Sequence, residues 1–448
     1  MIFYRAETMI KFVLSLAVFL WQLPTFAEER DLVILHTNDF HGRIKQEDEF
    51  AGAARITAYV NQVRNNNSAV LFLNGGDSIS GTPVSTLFEG VPIFEVMNLM
   101  GYDASVLGNH EFDHGFRQIE KFKEIASYPL LAINAYSPDG SLIADAPLLV
   151  KDVDGIKVGI IGVITEATPH MIIPMGNENL SFADPKESIE AAVSALCDKV
   201  DLVVLLSHVG HEEELALARD TECVDVIVGG HSHTVVDPGV MVGDTLVTQA
   251  GEYGSHVGHI RLTVDTVTNE VLSAKAELIP AKELPGPEPA VASAVRQWTD
   301  KVSAQVGYQI AQADRNYSQE ELQIIFETVI ASAIDADFGF YNMGGIRDVI
   351  RKGSVTARNI WTIEPFGNSL VGLRMKGSHV RYMLNRERDP HHRIDKIDDE
   401  KTYLVATNSF IGSHTKNKTP SEVELINYQT LIRDVLIEHI KANGFPGI

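Results

Sequence analysis

The chain has 448 residues and a formal net charge of −23, from 37 Lys+Arg against 60 Asp+Glu. That acidic excess excludes a protein whose main partner is a nucleic-acid polymer, because such a partner demands clustered positive charge. A composition of 45% hydrophobic and 22% charged residues excludes a wholly disordered chain. At about 100–200 residues per domain, the length implies two or three domains.

Met1–Ala27 reads as a secretory signal. Arg5 and Lys11 form a basic start, Phe12–Trp21 is an apolar core, and Ala27 is the small residue a signal peptidase needs. The apolar run of ten residues falls short of the roughly 20 that span a bilayer. The expectation is an exported protein, periplasmic or extracellular, with no membrane attachment after signal removal. Cys197 and Cys223 are 26 positions apart. In an oxidising compartment they form one disulfide; the alternative is two buried thiols.

From Asp31 onward, short apolar runs alternate with helical segments. Asp31–His36, Ala69–Leu73, Asp201–Leu206 and Val224–Val228 predict strands covered on both faces of a layered α/β domain. Helices are expected over Ala51–Arg64, Thr86–Met100 and Pro185–Lys199. A hairpin is expected over Lys151–Ile164, turning at Asp154-Gly155, with further strands in Thr245–Ile279. Leu284–Pro289 carries three prolines in six residues and marks an interdomain break. A helix over Ala290–Val306 follows, then a second, smaller α/β domain closed by a helix over Gln429–Ala442. The expected division is 28–284, a connector at 285–306, and 307–448.

The residues that carry chemistry each fall just past a predicted strand. Asp39 and His41 follow the first, Asp77 the second, and Asn109, His110 and Asp113 the run Ser105–Leu107. His208 follows Asp201–Leu206, and His231 and His233 follow Val224–Val228. Ligand sites in open α/β sheets lie beyond the carboxyl ends of strands, so these loops are expected to converge. Two Asp, one Asn and four His make seven oxygen or nitrogen donors, suited to zinc, manganese or iron. Asp77 is the carboxylate expected to bridge two divalent ions. Two ions about 3.5–4 Å apart can share an activated hydroxide and clamp the attacking and leaving oxygens of a phosphoryl displacement. An imidazolium fixed by a carboxylate can neutralise developing charge or protonate a leaving oxygen. His36 reads as a hydrogen-bonded core residue. His114, His211, His256 and His259 read as supporting or surface residues, Glu111 as a structural brace, and His391-His392 as part of a solvated charged stretch.

The ordered set NDFHG, NGGDS, GNHEFD, SH, GGHSHT and AGEYG (Ala250–Gly254) resembles the secreted 5′-nucleotidase/UDP-sugar hydrolase family. The resemblance implies a four-layer α-β-β-α metallophosphoesterase domain followed by a smaller α/β nucleotide-binding domain. It implies one ion on Asp39, His41, Asp77 and His233, a second on Asp77, Asn109, His208 and His231, and His110 and Asp113 as the catalytic pair.

In the second domain, Asn342-Met-Gly-Gly-Ile-Arg347 and Pro365-Phe-Gly-Asn368 resemble the same family's nucleotide-binding motifs. By that resemblance Arg347 binds phosphate, Phe366 and Phe410 sandwich a base, Asn368 bonds base or ribose, and Arg315 adds a phosphate contact. The family's GGDGY-type loop, whose Asp holds the ribose, is missing after Phe410. The reading is an enzyme releasing phosphate from nucleoside 5′-monophosphates, with UDP-sugars as further substrates. A 2′,3′-cyclic-nucleotide phosphodiesterase or another phosphoester hydrolase is the alternative, and a non-catalytic nucleotide-binding protein ranks last.

Overall fold

The computed structural model describes residues 28–47, 49–172, 179–386, 397–418 and 422–445. The signal segment and His391-His392 lie outside the described residues.

Two six-stranded sheets form the first part of the chain. One runs Glu270–Pro280, His256–Asp265, Glu29–Thr37, Val70–Asn74, Ala104–Val106, Leu130–Leu131; the other runs Val240–Val242, Thr245–Thr248, Val226–Val228, Leu202–His208, Ile156–Ile164, Leu148–Val153. The inner strands of both pair in parallel, so their carboxyl ends share one edge. Leu32, Ile34, Leu71 and Leu73 from one sheet pack on Val158, Ile160, Val204 and Leu206 from the other. The opposite faces are covered as well. Gly52–Asn66 and Val91–Met100 bury apolar residues on the first sheet, and Pro185–Leu196 and His211–Asp220 on the second. Strands buried on both faces require the continuous apolar runs seen in the sequence. The result is the expected α-β-β-α layering.

Some elements differ from expectation for local reasons. Thr86–Met100 divides into Pro83–Thr86 and Val91–Met100, because Gly90 turns left-handed at φ +79° against the Phe122 ring. The closing helix starts at Ile432, since Glu424–Leu431 is drawn into an edge strand beside Ser369–Lys376. Ser409–Lys418, which includes Phe410, forms a helix.

Glu288 caps the helix Pro289–Val306 through the Val291 amide, with Pro289 in its first turn. Val291 and Val295 join the core of the first part, while Val302 and Val306 join the core of the second. This one helix is therefore packed into both cores. The second part carries a four-stranded sheet ordered Phe338–Gly339, Thr402–Asn408, Ser369–Lys376, Glu424–Leu431.

Cys197 and Cys223 are joined in a disulfide that ties the end of Pro185–Leu196 to the segment entering Val226–Val228. Replacing both with serine should lower the unfolding free energy by about 3.5 kcal/mol, the chain-entropy value for a loop of this size. Urea denaturation with and without reductant measures it.

Candidate metal centre and active-site cavity

All seven sequence-identified donors meet at the shared carboxyl edge of the two sheets. Backbone bonds hold their loops together: Asp39 N donates to Gly76 O, His41 N to Asp77 O, and His110 N to Asp77 Oδ1, at 3.0, 3.0 and 2.8 Å. The His231 amide donates to both Asp39 oxygens at 3.0 and 3.2 Å. Asp39, His41, Asp77, His231 and His233 all hold left-handed backbone, with φ between 48° and 77°. Such conformations are sparse for residues with a Cβ and persist where surrounding structure over-determines them. The approach is so close that a Cβ on Gly230 would sit 2.3 Å from Gly75 O.

The donor atoms group as a metal requires. Asp39, His41 and His233 form one set and Asp77, His208 and His231 another, with atoms of each within 4.8 Å of one another. His41 Nε2 and His233 Nε2 are 3.2 Å apart, and His233 Nε2 lies 3.3 Å from Asp39 Oδ1. His208 Nε2 lies 3.1 Å from Asp77 Oδ2 and 3.3 Å from Asn109 Oδ1. Ligands about 2.1 Å from one ion stand roughly 3.0–3.4 Å from each other. Asp77 Oδ2 is also 3.9 Å from His41 Nε2, so it adjoins both sets. His41, Asp77 and His110 form a third set meeting the same 4.8 Å test.

Burial would strip the proton from each imidazole. It pushes His41 well below its usual range and His231 to about 4, where neighbouring cationic histidines add to it. At His208 and His233 the carboxylates outweigh burial and carry the rings up to about 10 and about 9. Asp77 is buried, which would raise it, yet His208, His110 and His41 hold it well below the carboxylate range. The cluster thus presents carboxylates whose field calls for positive charge, and its donor set suits divalent cations.

A further set of groups holds the donors in place. Glu111 accepts from the amides of Asp77, Ser78 and Gly108 at 3.1, 2.7 and 2.7 Å, the bracing role the sequence suggested. Burial raises its carboxyl to about 7. His208 Nδ1 donates to Gly75 O at 2.7 Å, which orients the ring with Nε2 toward Asp77 and Asn109. His233 Nδ1 pairs with the Glu252 carboxylate. Glu214 bonds Ser207 Oγ, the Gly230 amide and Gln249 Nε2 beneath the two histidine loops, and burial raises it to about 8. Glu252 lies in the AGEYG segment, a motif with no assigned role. Glu214 sits in an acidic helix, and nothing local marks it.

His110 Nδ1 bonds Asp113 Oδ2 at 2.7 Å, and Ser80 Oγ donates to the same oxygen at 2.5 Å. Burial would deprotonate His110, but Asp113 and Asp77 outweigh it and raise the ring above its usual range. The His110 ring lies 5.8 Å from that of Phe366, inclined by 26°. A cavity of about 360 Å³ opens there, lined by Asn109, His110, Asp113 and His231 from the first part and Arg347, Phe366, Asn368 and Phe410 from the second. Arg347 Nη2 donates to Tyr253 Oη at 2.8 Å, and its guanidinium lies 5.7 Å from the Phe366 ring centre.

Asn368 is buried, and its amide is engaged within the protein. Nδ2 donates to Glu364, and Oδ1 accepts from Ser409 Oγ and the Phe410 amide. It therefore holds Phe410. Arg315 is not brought to the cavity. It is exposed, stacks on Tyr317, and donates to Glu321 Oε1 at 2.6 Å. Glu321 is fixed by the capping box it forms with Ser318, and that carboxylate draws the arginine away. Met171 and His170 also line the cavity, and no sequence signal marked them.

Metal-donor loops at the carboxyl ends of two facing, helix-covered sheets define a metallophosphoesterase. Residues 32–235 match the family described as Calcineurin-like phosphoesterase, and residues 300–394 the 5′-nucleotidase C-terminal domain. A 5′-nucleotidase of Vibrio cholerae is 32% identical over 417 residues, covering 79% of this chain and 75% of the relative. Protein UshA of Yersinia enterocolitica is 28% identical, covering 79% and 76%. The crystal structure of a 5′-nucleotidase precursor from Thermus thermophilus superposes with a TM-score of 0.81 at 26% identity, covering 92% of this chain and 96% of that one. The chain belongs to the 5′-nucleotidase family of metal-dependent phosphohydrolases.

Replacing Glu252 with alanine removes the partner of His233 Nδ1. Divalent-metal affinity should fall about 10–100-fold, read by competition with a chromophoric chelator.

Proposed function

We propose that the protein is an exported two-metal 5′-nucleotidase that releases phosphate from nucleoside 5′-monophosphates. The observation that carries this reading is the single cavity joining the donor cluster to Arg347, Phe366 and Phe410. In this assignment Asp39, His41, Asp77 and His233 hold one divalent ion, and Asp77, Asn109, His208 and His231 the other. Bound ions supply Lewis acidity and neutralise charge on the phosphoryl oxygens. His110, whose cationic form Asp113 and Asp77 favour, meets the phosphoryl group and offers a proton to the leaving oxygen. Arg347, steadied by Tyr253, binds phosphate, and Phe366 and Phe410 hold the base while Asn368 positions Phe410. Export rests on the sequence signal and agrees with the disulfide. Among the described residues no helix is long and apolar enough to cross a membrane.

One observation favours a second reading, as a 2′,3′-cyclic-nucleotide phosphodiesterase. Among the described residues Asp113 is the only carboxylate lining the cavity, and it is bonded to His110 and Ser80. A free ribose diol would find no other carboxylate there.

An activity panel of AMP, UDP-glucose, 2′,3′-cyclic AMP and a generic phosphodiester separates the readings. Preference for AMP, lost in chelator and restored by divalent metal, supports the first; no AMP hydrolysis by metal-loaded enzyme overturns it. His110→Ala should lower kcat about 10²–10⁴-fold while metal content is retained. Phe366→Ala should cost about 1–3 kcal/mol of nucleotide binding. Its KM for AMP should rise, while hydrolysis of a phosphomonoester lacking a base is spared.

A further inference from the structure

A second and larger cavity, about 520 Å³, lies between the two parts of the chain away from Phe366 and Phe410. Its walls come from the loop after His41, from the helix Pro289–Val306, and from the segment that follows Arg347. It is lined by Arg43, Lys45, Arg351 and Arg358 against only two carboxylates, Glu47 and Asp348, among the described residues. In a chain of net charge −23 this is a local reversal of sign.

Three of these cations crowd one carboxylate. Arg358 Nη2 reaches Glu47 Oε1 at 3.3 Å from the other part of the chain. Lys45 Nζ stands at 3.6 Å and Arg43 Nη1 at 3.8 Å, beyond good hydrogen-bonding distance. Arg43 is the decisive group. Its side chain is 7% exposed, its Nε has no hydrogen-bond partner among the described residues, and its other contacts are the faces of Phe50 and Tyr253. A buried guanidinium with an unmatched donor carries a desolvation penalty that a carboxylate at 3.8 Å and two ring faces offset only in part. An oxyanion with two charges and several acceptor oxygens supplies what one shared carboxylate does not.

We propose that this cavity is a second anion site, separate from the catalytic one, that takes a phosphate-class oxyanion between Arg43 and Arg358. The site is adjacent to the chemistry. Arg43 lies 4.4 Å from the Tyr253 ring centre, and Tyr253 Oη accepts from Arg347. Arg43 therefore supports the active site as well, and the test uses its neighbours.

Equilibrium dialysis of the metal-loaded protein against labelled orthophosphate counts bound equivalents without turnover, so its result is independent of the substrate assignment. Arg358→Gln should bind one equivalent fewer than wild type. Glu47→Gln removes the competing carboxylate from a half-exposed position and should tighten that equivalent about five-fold. Equal stoichiometry in wild type and Arg358→Gln, or no tightening in Glu47→Gln, overturns the proposal. Displacement of that equivalent by a methylene-bridged nucleoside diphosphate identifies a nucleotide's phosphates as the occupant. Displacement by orthophosphate alone identifies the free ion, and the anion site stands in both cases.

Discussion

The structure depends on bringing two carboxylates and four imidazoles within a few ångströms of one another in the dry edge between two sheets. Asp39 and Asp77 would repel each other there, and each imidazole alone would be driven neutral by burial. The arrangement survives because the charges answer one another: His208 and His233 are carried upward by the carboxylates while His41 and His231 remain low. Left-handed backbone at five of the seven donors is the geometric cost of aiming them all inward. Each such conformation costs of order 1–3 kcal/mol, and Glu111, Glu214 and Asn38 offset it by tying the loops' amides and carbonyls to buried side chains. Helix-covered sheets are the rigid frame against which that strain can be held.

The same constraint shapes the seam between the two parts. The helix Pro289–Val306 enters both cores, so neither packs independently of it. Across the seam Arg347 reaches Tyr253, whose ring lies 5.6 Å from that of His41. The element that meets the phosphate in the proposed assignment is thus braced by a residue two positions from Gly251 in a donor-side loop. Thr86 Oγ1 adds a bond to Pro365 O, next to Phe366, so that wall of the cavity is also anchored to the part that carries the donor cluster.

What could be read from the sequence was what depends on local pattern. Continuous Val/Ile/Leu runs marked the buried strands, and each donor lay just past one, which is why the layering and the convergence of Asp39, Asp77, Asn109, His208 and His231 were legible. What depended on distant partners was not. Glu214 braces loops whose sequence separation hides it, and Arg315 looked like a phosphate ligand until the capping carboxylate Glu321 claimed it. Asn368 carried the right motif, but its amide is taken up by Glu364, Ser409 and Phe410, the last two brought to it by the helix Ser409–Lys418.

That helix also bears on selectivity. A loop after the second aromatic could turn a carboxylate toward a ribose; a helix starting at Ser409 instead bonds His414 Nδ1 back to Phe410 O and sets the two rings 4.5 Å apart, tilted by 47°. The Phe410 wall of the cavity is thereby stiffened, and among the described residues this helix brings no carboxylate to it. Stacking is tolerant of base identity because every base has a π face. A pocket that combines an aromatic wall with an arginine and a metal-donor cluster distinguishes its ligands chiefly at the phosphate end. Under the proposed assignment, a single hydrogen bond to the ribose would contribute only about 0.5–1.5 kcal/mol to discrimination between ribose states.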